Sequence, residues 1–182
     1  MLAFHRHRDR LTTTLQPQEA AILRDLASQF IDLVHPLEHA RATPWHGSPG
    51  DWSPDDRSDV DDVADPALAR LFPDAYPDDP DASGEFRRYT QSDQAAAKVE
   101  AARVMIEDLA ASDTGHLDVP LDHVQAWLIT VTNIRLVLAV RLGVTQPGDQ
   151  GLEHLTADDP RQVTAEVYDW CAWIVETMVE CL

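Results

Sequence analysis

The chain has very few cysteines, and this limits its chemistry. Cys171 and Cys181 are the only two among 182 residues, too few for the disulfide framework of a small secreted domain. Both fall on one predicted helix, where ten residues correspond to about 15 Å of axial rise. A disulfide bridges Cα atoms no more than about 7 Å apart. We therefore predict no intrachain disulfide and no redox switch built on a close cysteine pair.

Long apolar runs are also missing. The longest, Ile134 to Val144, contains Arg135 and Arg141, so no stretch approaches the ~20 apolar residues of a transmembrane helix. Charged residues follow Phe4 directly, without the apolar core of a signal peptide. We therefore expect a cytoplasmic protein without membrane association.

Basic residues are scarce. The chain has 14 Lys and Arg against 32 Asp and Glu, a net charge of −18. Residues 51–82 alone contain eleven Asp against Arg57 and Arg70, a local excess of 11 − 2 = 9 negative charges. Such a chain repels phosphate backbones. DNA binding by the protein on its own is therefore disfavoured.

The residues that are present predict a mainly α fold with a minor element of short strands near the N-terminus. Residues 4–15 alternate and favour one or two short strands, and residues 116–119 are a candidate partner strand. An amphipathic helix begins near Pro17. Because Pro36 lacks an amide hydrogen, we expect this helix to kink or end near Val34 to His35.

Further helices follow from capping and periodicity. Short helices are predicted after Asp65-Pro66 and Asp79-Pro80, and longer ones at residues 90–111, 121–142 and 159–182. Thr90 and Asp93 resemble a capping box for the first of the longer helices. We therefore predict a single-domain bundle over residues 1–182 with three long and several short helices. Residues 42–64, rich in Pro, Gly and Asp, form an acidic loop within it.

One string resembles a metal site. His35, Glu38 and His39 match the H-x-x-E-H pattern of zinc hydrolases. The chemistry requires both imidazoles on one face of a continuous helix, and Pro36 interrupts the backbone between them. No phosphate-binding glycine loop or nucleophile elbow is present. We predict no catalytic, metal or cofactor-binding residue, and a zinc hydrolase is the remote alternative.

Aromatic residues cluster on the last two predicted helices, at Trp127, Tyr168, Trp170 and Trp173. Such stripes usually belong to the hydrophobic core. Part of this surface is a candidate homodimer interface.

Several motifs occur in a fixed order along the chain. They are DPALARLFPDAY at residues 65–76, EFRRYT at 85–90, Lys98, QAWL at 125–128, RLGV at 141–144 and VYDW at 167–170. Together they resemble an actinobacterial family of domains of unknown function that includes the actinomycete oxidative stress regulator. The likeness runs from about residue 4 to 182 and is loosest at residues 45–63. It implies a cytoplasmic regulator, in one branch a redox-responsive transcription factor that acts with RNA polymerase partners.

Five motif residues are candidates for a partner surface or for fold-stabilising contacts. They are Asp74, Tyr76, Phe86, Arg87 and Arg88. In the second interpretation Phe86 anchors its helix, and the two arginines clamp carboxylates of Asp74, Asp78 or Asp79.

The most favoured function is a non-enzymatic regulatory or adaptor protein that acts through protein contacts. The resemblance adds stress-linked transcription machinery as a candidate partner. A DNA-binding transcriptional regulator is the alternative.

Overall fold

A computed structural model describes residues 1–38, 65–112, 115–144, 155–156 and 158–182. The predicted acidic loop at residues 42–64 lies outside them. The described elements, in chain order, are β1 (His5–His7), β2 (Arg10–Thr14), α1 (Pro17–Glu38), α2 (Pro66–Leu71), α3 (Pro80–Ala111), β3 (His116–Pro120), α4 (Val124–Leu142) and α5 (Gln162–Val179). The fold is mainly α with a minor strand element, as predicted.

The three strands form one antiparallel sheet in the order β1-β2-β3. Leu11 pairs with Val119 and Thr13 with Leu117, and all four side chains are buried. The expected pairing of the N-terminal strands with residues 116–119 is therefore confirmed. It closes the start of the chain onto the segment between α3 and α4.

Helix α1 extends two residues beyond Pro36, to Glu38. The expectation that it ends near Val34 to His35 is therefore wrong, and the alternative of a kink there stays a prediction. Proline in the last turn removes one helical hydrogen bond, and a contact with α3 holds this end, because the Ser92 hydroxyl donates to the Glu38 carbonyl at 2.8 Å.

Helix α3 is continuous from Pro80 to Ala111. A short helix after Asp79 and a separate helix beginning at Thr90 were expected, and both expectations are wrong. Asp79 caps the whole helix by accepting from the Ala82 amide at 2.9 Å. Thr90 lies within the helix, where its hydroxyl donates to the Phe86 carbonyl at 2.9 Å. The described residues thus contain four long helices and one short one, α2, instead of three long and several short.

Helix α4 is the centre of the bundle and contacts α1, α2, α3 and α5. Trp127 is fully buried there, and Gly143 ends the helix with a left-handed φ of 78°. By length and composition α4 is also the one described helix apolar enough to cross a membrane. Of this apolar window of α4, 39% is buried within the described fold, and a helix that is apolar on several sides is also typical of the centre of a bundle.

Helix α5 packs on α4. Trp170 and Trp173 are partly buried against the core, and the guanidinium of Arg135 lies 4.6 Å from the centre of the Tyr168 ring. The aromatic cluster predicted from the sequence therefore belongs largely to the packing between these two helices. Its proposed part in a homodimer remains a prediction.

Candidate functional site

The turn between α2 and α3 is built around one buried hydroxyl. Ser83 donates to the carbonyl of Tyr76 at 2.8 Å and accepts from the Tyr76 amide at 3.0 Å. The Asp79 amide also donates to the Tyr76 carbonyl, at 3.0 Å. These bonds hold the turn against the first turns of α3, so that motif residues on both sides of it become neighbours.

The predicted clamp across this turn exists for one arginine. Arg87 forms an ion pair with Asp74. Arg88 is directed elsewhere: its guanidinium lies 5.1 Å from the centre of the Tyr89 ring and donates to the Tyr89 hydroxyl at 3.1 Å. Because Arg88 stacks on its neighbour, it makes no ion pair with Asp78 or Asp79 among the described residues, and that part of the interpretation is wrong.

Three aromatic rings lie exposed beside this clamp. Tyr76 is 50% exposed, Phe86 41% and Tyr89 66%. The rings of Tyr76 and Phe86 meet edge to face, with centroids 6.1 Å apart. We call Tyr76, Phe86, Arg87, Arg88 and Tyr89 the aromatic–arginine surface. Phe86 thus contacts the turn without being buried in the core.

Tyr89 belongs to this surface but is absent from the site residues predicted from the sequence. Its spacing of three residues from Phe86 places both rings on one face of a helix. The spacing indicates a shared face only if both residues lie in one helix. Because the predicted long helix began at Thr90, Phe86 and Tyr89 were not placed in it, whereas the observed α3 begins at Pro80.

A groove between α3 and α4 lies farther along α3. Lys98 borders it and donates from Nζ to Asn133 Oδ1 at 3.0 Å, while Nζ lies 5.5 Å from the centre of the Phe72 ring. Burial lowers the pKa of the Lys98 amine from its usual range. Sequence reasoning placed Lys98 in a motif but assigned it no contact.

Asp108 joins α3 to the start of α4. Its carboxylate accepts from the indole nitrogen of Trp127 at 2.8 Å and from His123 Nδ1 at 3.0 Å. The hydrogen bond to Asp108 raises the pKa of His123. Sequence reasoning missed this cluster, because its members come from two helices and match no motif.

Both cysteines are free thiols. Cys171 is fully buried, and burial raises its pKa to about 12, so it stays protonated and unreactive near neutral pH. Cys181 is half-buried, and its Sγ lies 3.2 Å from the Phe4 carbonyl oxygen and 3.3 Å from the Thr177 carbonyl oxygen, which share its one S–H donor. Of the two thiols, only that of Cys181 is partly exposed.

The H-x-x-E-H string is only partly within the described residues. His35 and Glu38 lie in the last turn of α1, and His39 lies outside. Within the described part of the chain, no group of three or more His, Cys, Asp or Glu side chains is arranged to hold a metal ion.

These features define a mainly helical domain with a small sheet, an exposed aromatic–arginine surface and a polar cluster formed by Asp108, His123 and Trp127. The family model for "Domain of unknown function (DUF2017)" matches residues 1–182. The chain therefore belongs to this family.

Named relatives come from mycobacteria. The chain is 28% identical over 190 residues to the oxidative stress regulator AosR of Mycobacterium tuberculosis and of Mycobacterium bovis, covering 93% of this chain and 81% of theirs. It is 27% identical over 195 residues to the putative oxidative stress regulator AosR of Mycobacterium leprae, covering 95% and 82%. No solved structure matches the chain.

Proposed function

We propose that the protein is a non-enzymatic regulator of the stress response that acts by binding another protein through the aromatic–arginine surface. The observation that carries this proposal is the exposure of the Tyr76, Phe86 and Tyr89 rings beside Arg87 and Arg88. A similarity to proteins named oxidative stress regulators supports the regulatory role.

The composition of this surface favours a protein partner. Tyr, Phe and Arg are enriched in protein interfaces, and a few such residues supply most of the binding energy. The ion pair with Asp74 and the stacking on Tyr89 hold the two arginines in place. Less side-chain entropy is then lost when a partner binds.

The local charge disfavours nucleic acid at the same surface. Asp74 neutralises Arg87, and the flanking segment carries Asp78, Asp79 and Asp81. Phosphate binding depends on unpaired positive charge. We therefore propose that any action on transcription proceeds through contact with a protein of the transcription machinery, and DNA binding by the protein alone remains the alternative.

Catalysis has little support among the described residues. The Asp108–His123 pair is the nearest approach to an acid–base arrangement, but the Asp108 carboxylate also accepts from the Trp127 indole. These bonds connect two core helices. We infer that the cluster serves the fold and not a reaction.

The proposal is tested by measuring binding of the purified protein to an actinobacterial RNA polymerase holoenzyme. Replacing both Phe86 and Tyr89 with Ala should weaken binding at least about tenfold, because the few interface residues that dominate binding each cost about 2 kcal/mol or more when truncated. Arg88→Ala should weaken it as well. Val163→Ala is the matched control, since Val163 is 69% exposed but lies on α5, outside the aromatic–arginine surface.

Two outcomes contradict the proposal. If the Phe86 and Tyr89 variant binds the polymerase like the control, the surface is not the contact. If the wild-type protein shifts duplex DNA without polymerase, with an affinity that falls steeply as salt is raised, the DNA-binding alternative is favoured.

A further inference from the structure

The groove between α3 and α4 has the dimensions of a small-molecule site. Its volume is about 610 Å³. Pockets for small molecules span roughly 300–1,000 Å³. Ala97, Leu128 and Ile129 supply an apolar wall, and Thr132 and Asn133 supply polar atoms beside Lys98.

Lys98 brings a positive charge to this apolar wall without an acidic partner among the described residues. Its one side-chain hydrogen bond there goes to the neutral Asn133 oxygen. Buried or half-buried charges in proteins are normally paired. The chain has 32 acidic residues, and the helices that form this groove nevertheless place none against the Lys98 amine.

The partner of Lys98 is itself held in place. Asn133 is 6% exposed, and its amide nitrogen donates to the Ile129 carbonyl at 2.7 Å. Its oxygen is thereby directed at Lys98 Nζ. An ammonium group has three donors, so two remain for a ligand after the bond to Asn133.

The groove between α1 and α4 provides a contrast. It has a volume of about 370 Å³ and contains one cation, Arg141. Arg141 forms an ion pair with Asp65. Its charge is therefore already compensated by an acid, whereas Lys98 has no acidic partner in the described part of the chain.

We propose that the groove between α3 and α4 binds a small molecule that carries a carboxylate on an apolar body. Lys98 takes the carboxylate, with the Thr132 hydroxyl at the same rim, and the wall of Ala97, Leu128 and Ile129 covers the apolar part. Charge complementarity selects this class, because Lys98 presents an ammonium group whose hydrogen bond goes to a neutral amide oxygen beside an apolar wall. This site is separate from the aromatic–arginine surface and does not depend on the proposed function.

The test compares decanoate with decanol, which has the same apolar chain and no charge. Binding is followed by NMR of labelled methyl groups on Leu128 and Ile129. Decanoate should shift these methyls and bind at least about tenfold more tightly than decanol, as expected for hydrogen bonds to a charged group. Lys98→Met should reduce decanoate binding to the level of decanol, while Lys98→Arg retains most of it.

Lys98→Met replaces a half-buried charge with an apolar side chain of similar length, so the variant is expected to fold. Equal binding of decanoate and decanol, or methyl shifts only outside the groove, would overturn the proposal. No decanoate binding at millimolar concentration would assign Lys98 a structural role alone. Binding of a short acidic peptide instead of decanoate would assign the groove to a protein partner, and a Lys98-dependent dimer in sedimentation would assign it to a second copy of the chain.

Discussion

Replacing Asp108 with Ala should destabilise the protein strongly, because it removes the acceptor of a buried indole. Trp127 is fully buried and donates to Asp108 at 2.8 Å. The Asp108 side chain is itself only 10% exposed. Without the carboxylate, the indole N–H loses its acceptor among the described residues.

The magnitude follows from the type of bond. A hydrogen bond to a charged group contributes about 1.5–3 kcal/mol, and an unsatisfied buried donor costs about 1–3 kcal/mol. These figures describe the same loss and are not summed, so we expect Asp108→Ala to lower the free energy of unfolding by about 3 kcal/mol. Asp108→Asn keeps an oxygen for the indole and should cost about 1 kcal/mol.

Urea unfolding followed by circular dichroism measures this difference. With a urea dependence of about 2.5 kcal/mol per molar, a loss of about 3 kcal/mol lowers the midpoint by about 1.2 M. Asp122→Ala is the matched control, since Asp122 is an exposed neighbouring acid and should change stability by less than about 0.5 kcal/mol. If Asp108→Ala unfolds within about 0.5 kcal/mol of this control, the reasoning is refuted.

The same cluster predicts a pH dependence. Asp108 raises the pKa of His123 above its usual 6.5, with Asp122 and Glu107 acting in the same direction. A raised pKa means that the folded state holds the proton more tightly than the unfolded state. This contribution is therefore fully present below about pH 6.5 and is lost as the pH rises through the folded pKa. The fall should be smaller in His123→Gln, and an identical pH profile in that variant would contradict the prediction.

Three further predictions concern thiols, glycines and a cap. A water-soluble disulfide reagent should modify Cys181 of the folded protein and leave Cys171 intact until denaturant is added, because Cys171 is buried with a pKa of about 12. Mass spectrometry after digestion shows which thiol reacts. Labelling of Cys171 before denaturant is added would contradict this prediction. Gly115→Ala should destabilise the protein by more than about 1 kcal/mol, since Gly115 has a φ of +84° and a Cβ would lie 2.8 Å from a carbonyl oxygen. Gly84→Ala should instead stabilise it by about 0.5–1 kcal/mol, because a Cβ at this position within α3 meets open space. Melting temperatures of both variants equal to that of the wild type would refute both predictions. Asp65→Ala should cost about 1 kcal/mol in urea unfolding, because it removes both the cap of α2 and the partner of Arg141. A cost near zero would contradict this prediction.

Much of the fold was accessible from local sequence signals. Asp65 and Asp79 cap their helices as predicted, because an acid before proline is a local pattern that needs no distant partner. Gly143 likewise ends α4 in the left-handed conformation. The strand pairing was also predicted, since the alternating residues of both segments each require a buried face.

The errors arose where a local signal was outweighed by packing. Thr90 and Asp93 imitate a capping box, but α3 continues through them because it packs along α1. Similarly, Pro36 does not end α1 near Val34 to His35. The helix continues to Glu38, whose carbonyl accepts a hydrogen bond from Ser92 of α3. Propensity differences of this kind are small beside the burial of an amphipathic face.

The contacts described for the candidate site were likewise predictable only where the residues lie close to one turn of the chain. The Arg87–Asp74 ion pair was predictable, because both residues flank one short turn. The contacts Lys98–Asn133 and Asp108–Trp127 join residues 35 and 19 positions apart on different helices. Which polar groups meet there depends on how the helices cross, and no sequence spacing encodes that.

By itself, the sequence determined the acidic character of the chain, the lack of a close cysteine pair, the helical class and the caps at Asp65, Asp79 and Gly143, because each depends on composition or on residues within one turn. Tertiary structure alone decided that Lys98 borders an apolar groove to which the described residues contribute no acid, that Asp108 supports a buried tryptophan and that three aromatic rings remain exposed on the aromatic–arginine surface. The physical reason is that helix packing sets the distances between side chains remote in sequence, and these distances determine burial, charge compensation and the surface left for a partner.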